Sequence, residues 1–173
     1  TSSIYWITQC LKHLERKATM ISTIGYGFID DLQPTTNTTP DAVEIQSILN
    51  DFTINKIQDA CIEVSSHGIK QGRVSSIDFD VRIFTNLSRD HLDYHDSIES
   101  YANIKKEFLL DAKKGNLVIN TDDPLGKKIF RESILDEAQK LSFGIDSACT
   151  LQAKNIVTEN KITKFNLIYQ KKI

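Results

Sequence analysis

A-C-I-E-V-S-S-H-G, Ala60 to Gly68, is the stretch on which the fold turns. From Ala60 to Val64 the run is apolar apart from Glu63, and it gives way at once to serine, histidine and glycine. A run this short, closed by turn residues, reads as a strand buried on both faces rather than as a helix. Val81 to Phe84 repeats the pattern and leads into T-N-L-S-R-D-H-L-D-Y-H, Thr85 to His95.

Helical spacing fills the intervals. Ile4, Ile7, Leu11 and Leu14 recur at three- and four-residue steps, which predicts a helix over Ser2 to Leu14. Ala18 to Ile24, rich in β-branched residues and followed by Gly25, predicts a strand ending in a turn. In T-T-N-T-T-P-D, Thr35 to Asp41, Thr39 is the expected cap of a helix that starts at Pro40 and runs to about Asn50, with Asp41 and Glu44 at its positive end. Ser97 is expected to cap a helix through Ala112, carrying Ile98, Tyr101, Ile104 and Phe108 at helical spacing. A strand over Asn116 to Asn120, a helix over Pro124 to Asp136 and a strand over Lys140 to Phe143 follow, and Thr150 to Ile173 alternates as antiparallel strands do. Strands separated by such helices pair in parallel through right-handed crossovers. The expected fold class is therefore α/β, a largely parallel sheet flanked by helices, with antiparallel strands near the C-terminus.

Composition narrows the function. The chain has 173 residues, 40% hydrophobic and 25% charged, enough to bury a core without disulfide or metal staples. A formal charge of −2 gives no electrostatic pull toward nucleic acid, so no nucleic-acid partner is expected. No apolar run approaches the roughly 18 residues that cross a bilayer, and no leader pattern is present, so no membrane partner and a cytosolic location are expected. Cys10, Cys61 and Cys149 show no C-x-x-C spacing and read as small apolar residues rather than zinc ligands or disulfides.

In parallel sheets ligands bind beyond the carboxyl ends of the strands, which singles out the polar segments after Ile62 and Phe84. Glu63, at the end of an apolar strand, needs a partner: a cation, or a structural ion pair or cap. His91, Asp93 and His95 alternate in a way that suits a divalent ion, and equally suits a solvated loop.

Taken together, T-T-N-T-T-P-D (Thr35–Asp41), E-V-S-S-H-G-I-K-Q-G-R (Glu63–Arg73), F-T-N-L-S-R-D-H-L-D-Y-H (Phe84–His95), S-Y-A-N-I-K (Ser100–Lys105) and V-I-N-T-D-D-P (Val118–Pro124) resemble the Mur ligase family. Within it they are most similar to members that extend UDP-N-acetylmuramoyl-L-alanyl-D-glutamate with a diamino acid. The resemblance implies an ATP-dependent, amide-forming ligase of peptidoglycan synthesis that works through an acyl phosphate with Mg2+. It implies metal ligands and catalytic residues at Glu63, His91 and a carbamylated Lys105. Contacts to the UDP-muramoyl-dipeptide are implied at Asn37, Thr38, Thr39, Ser65, Gln71 and Arg73.

Without the resemblance, Lys105 reads as a solvated helix lysine beside Lys106, Thr38 and Thr39 as loop and cap residues, and Gln71 and Arg73 as a polar turn. Thr1 matches the last residue of the family's G-T-N-G-K-T phosphate loop, whose hydroxyl would ligate Mg2+ beside the nucleotide. The chain is thus expected to be a partial central domain, without the start of that loop or the flanking N- and C-terminal domains, and by itself inactive. Other ligases of the superfamily, of the folylpolyglutamate synthase or cyanophycin synthetase kind, and a metal-dependent hydrolase built on Glu63, His91, Asp93 and His95 are the competing readings.

Overall fold

The computed structural model describes residues 1–87, 97–111, 115–146 and 148–169. It divides into two compact units, Thr1–Ile77 and Asp78–Ile173.

In the first unit, α1 (Ser2–His13) leads into β1 (Ala18–Ser22), all five of whose residues are buried. A two-residue turn at Thr23–Ile24 sends the chain back as β2 (Gly25–Phe28), and β3 (Asp31–Gln33) completes an antiparallel meander. Then come α2 (Ala42–Ile54), β4 (Asp59–Ile62) and the short α3 (Ser66–Lys70). The strand order is β3-β2-β1-β4, with β4 parallel to β1. The side chain of Arg16 donates through Nε and Nη2 to the two carboxylate oxygens of Asp59, at 2.5 and 2.8 Å, which ties the approach to β1 to the start of β4.

The hairpin β2–β3 was not expected, because G-Y-G-F carries two glycines that dilute any strand signature. Gly25 is nonetheless required there. Its φ is +132°, and a side chain would meet the Gln33 carbonyl at 2.5 Å.

In the second unit, β5 (Val81–Phe84), α4 (Ile98–Leu110), β6 (Asn116–Asn120), α5 (Pro124–Glu132) and β7 (Lys140–Gly144) alternate, followed by β8 (Leu151–Glu159) and β9 (Ile162–Tyr169). The sheet runs β5-β6-β7-β8-β9, parallel up to β8, with β9 antiparallel. Its core joins Phe84, Leu109, Leu117, Ile119, Ile129 and Leu135. The expected α/β class and the antiparallel C-terminal pair are both present.

Two expectations need correction. β4 and β5 lie at the ends of their hydrogen-bonded strand orders rather than inside them, and Ala60, Val81 and Ile83 are exposed. The inner strand β1 is buried throughout, and the inner strand β6 buries Leu117 and Ile119. The cap of α2 is Asp41, whose carboxylate accepts from the Val43 and Glu44 amides at 2.9 Å. Thr39 is not the cap. A carboxylate reaches the N2 and N3 amides and also complements the helix dipole, leaving the threonine hydroxyl for another partner. Ser97 caps α4 as expected, through the Ser100 amide.

Candidate functional site

The parallel pair β1–β4 ends with Ile21 opposite Ile62, and the Glu63 amide continues the ladder to the Ile21 carbonyl at 2.8 Å. Beyond these carboxyl ends lie Thr1, which precedes α1, the loop before α2 and the start of α3. Glu63 is the hub. Its carboxylate accepts from the Thr1 amino nitrogen at 2.7 Å, the Thr1 hydroxyl at 2.9 and 3.2 Å, and the Thr23 amide and hydroxyl at 3.3 and 3.4 Å. Burial alone would raise the Glu63 pKa. Hydrogen bonds from the Thr1 amino group and hydroxyl, the amino group's charge and the Thr23 amide outweigh it and hold the carboxyl below its ordinary value.

Thr1 precedes α1 without capping it, its hydroxyl turning to Glu63 instead. Thr23 also meets Thr38, oxygen to oxygen at 2.9 Å. Three threonine hydroxyls and a carboxylate thus share one cluster, a set of hard oxygen donors of the kind a magnesium ion accepts. In the sequence Thr23 is only the next-to-last residue of an expected strand and belongs to no motif. It sits in the turn of the unforeseen hairpin, so nothing marked it as lying beside the end of β4.

A second cluster adjoins through Thr38–Thr39. The Thr39 hydroxyl donates to the Glu63 carbonyl at 2.8 Å, accepts from the Ser65 amide at 2.9 Å and lies 3.2 Å from the Ser65 hydroxyl. Ser65 in turn caps α3 by accepting from the Gly68 amide at 3.1 Å. The Arg73 guanidinium donates through Nη1 to the Thr39 carbonyl at 2.6 Å and through Nε to Gln71 Oε1 at 2.8 Å. Asn37, exposed, bonds within its own loop to Thr36 at 3.1 Å. Thr1, Asn37, Thr38, Thr39, Glu63, Ser65, Gln71 and Arg73 therefore belong to one unit and, Asn37 apart, to one continuous hydrogen-bonded patch.

Lys105 belongs to the other unit. It is half-buried on α4 with its ammonium 5.0 Å from the centroid of the Tyr101 ring, and its neighbour Lys106 pairs with Glu132 at 2.6 Å. The reading of a merely solvated pair of lysines does not hold. His91, Asp93 and His95 lie outside the described residues.

At the carboxyl ends of β5, β6 and β7 the segment N-T-D-D-P ties the strands together. Asn120 donates to the Thr85 carbonyl at 2.8 Å, Asp122 accepts from the Ile145 and Asp146 amides, and Asp123 accepts from the Leu87 amide at 2.9 Å while capping α5. These are the loop-stabilising roles expected of amides and carboxylates after strands.

The Mur ligase middle-domain model matches residues 1–173. The chain belongs to that family. A Vibrio vulnificus protein named UDP-N-acetylmuramoyl-L-alanyl-D-glutamate--2,6-diaminopimelate ligase is 44% identical over 126 residues, 73% of this chain and 26% of the relative. A solved structure with the same ligase name superposes with a TM-score of 0.85 at 29% identity, over 96% of this chain and 34% of that one. A mutant of L. casei FPGS superposes with a TM-score of 0.71 at 15% identity over 98% of this chain and 48% of that one, which shows a common fold. The chain thus spans about a quarter to a third of the length of the ligases it matches. Among the described residues of this Mur ligase domain, no helix is long and apolar enough to cross a membrane.

Proposed function

We propose that the chain is the central part of an ATP-dependent ligase that joins a diamino acid, 2,6-diaminopimelate by the names of its relatives, to UDP-N-acetylmuramoyl-L-alanyl-D-glutamate in peptidoglycan synthesis in the cytoplasm. The observation that carries this reading is the contact between the Thr1–Thr23–Glu63 cluster and the Thr35–Thr39 loop through Thr38. It puts groups suited to a nucleotide-bound cation next to groups suited to a polar, anionic acyl substrate.

The oxygen-rich surroundings of Glu63 fit Mg2+, with the Glu63 carboxylate and the Thr1 hydroxyl as ligands. Bound there with ATP, Mg2+ would screen the charge between a carboxylate and the γ-phosphate as they approach. The residues of this chain do the rest by placement. Hydrogen bonds from the Thr1 hydroxyl and the Thr23 amide favour the ionised form of Glu63. Arg73 offers a cation to the substrate's anionic groups, and Asn37, Thr38 and Ser65 offer neutral donors and acceptors around it. Thr39 and Gln71 complete the same patch.

In this reading His91 and a carbamylated Lys105 add further donors for a second metal ion. A carbamate would replace the lysine's cation by an anion with hard oxygens.

The assay that tests this uses the complete protein carrying the chain. ADP should be released only when ATP, the UDP-muramoyl-dipeptide and the diamino acid are all present. ADP release driven by a folate with glutamate, or hydrolysis of the precursor without ATP, would overturn the reading in favour of the two competing chemistries.

A further inference from the structure

The resemblance places Thr39 among the residues that touch the acyl substrate. The structure gives its hydroxyl other work. Thr39 is fully buried, at 0% exposure, and its hydroxyl both donates to the Glu63 carbonyl and accepts from the Ser65 amide. A hydroxyl has a single hydrogen to give, and here it goes to the protein's own backbone. Two segments that are distant in sequence meet at this atom: the loop before α2, and the short turn that joins the exit of β4 to the capped start of α3.

The backbone of the same residue does a second task, since its carbonyl takes Nη1 of Arg73 while Gln71 Oε1 takes Nε. With Nε and Nη1 held, the guanidinium plane is fixed, and Nη2 is bonded to none of the described residues. The methyl group has a task as well. A side chain on Gly68 would lie 2.9 Å from Thr39 Cγ2 and 3.0 Å from its Cβ, so the glycine is the space into which the threonine packs.

We propose that Thr39 is a positioning residue: its hydroxyl is committed to the protein's own backbone and locks the turn between β4 and α3 to the substrate loop, and its carbonyl orients Arg73, which then presents the remaining N–H groups of Nη1 and Nη2 to an anionic oxygen. This deepens the proposed ligase reading and rests on it for the identity of the substrate.

Two double-mutant cycles test it. In urea unfolding of the chain, Thr39→Val, which keeps the shape and removes the hydroxyl, should be destabilised, and Thr39→Ser should stay close to the parent. Gly68→Ala should be strongly destabilising in the parent chain. In the Thr39→Ser background, where the 2.9 Å contact to Cγ2 is gone while Cβ at 3.0 Å and the hydroxyl at 3.2 Å still press on the added carbon, it should cost less but remain destabilising, a non-additive pair. In the complete protein, Thr39→Val should raise the KM for the UDP-muramoyl-dipeptide about three- to tenfold, the factor of one net hydrogen bond, with kcat changed much less. Thr39→Ser should keep the parental KM. In an Arg73→Ala background the same Thr39→Val change should cost little further affinity, because its effect passes through the arginine.

Additive KM effects of the Thr39 and Arg73 changes would overturn the proposal, as would additive stabilities of the Thr39 and Gly68 changes. If the protein does not bind the UDP precursor at all, the ligase reading fails. The unfolding cycle then still decides whether the Thr39 lock exists.

Discussion

At the scale of single residues, Glu63 and Lys105 show what a hydrogen-bond inventory adds to a sequence. Glu63 was recognisable as a carboxylate in need of a partner, but its partners come from sequence positions 1 and 23 and no spacing rule connects them to it. Because its folded pKa lies below the ordinary value of about 4.3, its bonds stabilise the fold fully above that value and are lost as pH falls through the lower folded value. The stability difference between the parent chain and Glu63→Gln should therefore stay level from neutral pH down to about 5 and shrink on further acidification, measured by urea unfolding at each pH. A difference that grew on acidification would contradict the sign. Lys105→Ala should abolish most ligase activity in the complete protein, with partial recovery on adding short-chain carboxylic acids that can supply oxygen donors. In the chain with an unmodified lysine, where the ammonium packs over Tyr101, the same change should cost the fold about 0.5–1 kcal/mol, so melting must be followed alongside turnover. Near-parental turnover without added acid or bicarbonate would refute the carbamate role.

At the scale of elements, the helices and parallel strands were legible because their signals are local: apolar periodicity, Ser97 before Ile98, Pro124 after Asp123. The hairpin β2–β3 and the five-residue α3 were not, since one is made of glycine-diluted strand and the other is a single capped turn too short to show a period. The helix cap before α2 was misplaced because Thr39 and Asp41 both qualify by type, and only the competition for the Glu63 carbonyl and the Ser65 amide decides between them. Asp123 extends the same lesson. One of its oxygens caps α5 at the Leu125 and Gly126 amides, and the other takes the Leu87 amide beyond β5. Asp123→Ala should lower stability by about 2 kcal/mol, more than an ordinary cap, because a helix start and an inter-strand tie fail together. Asp123→Asn, which keeps one acceptor, should lose less. Thermal melts of the two variants side by side check the ranking.

At the scale of the whole molecule, protection should follow shielding rather than sequence order. Amides of β1 and of β6, whose Leu117 and Ile119 are fully buried, should exchange slowest within their respective units, and those of β9 near the hairpin tip much faster. Hydrogen-exchange mass spectrometry would contradict this if β9 were the most protected segment. A different vulnerability follows from the way β4 is paired with β1. Glu63 owes its direction to a register in which Ala18 faces Asp59 and Ile21 faces Ile62, and side chains alternate faces at every step along a strand. Loss of a single codon inside Asp59–Ile62 would therefore do what no point substitution there can do: keep the chemical groups and invert the surface on which they are displayed. In a library that scores deletions as well as replacements, this four-residue segment should tolerate exchange of Ala60, which is exposed, yet reject every one-residue deletion, including that of Ala60 itself.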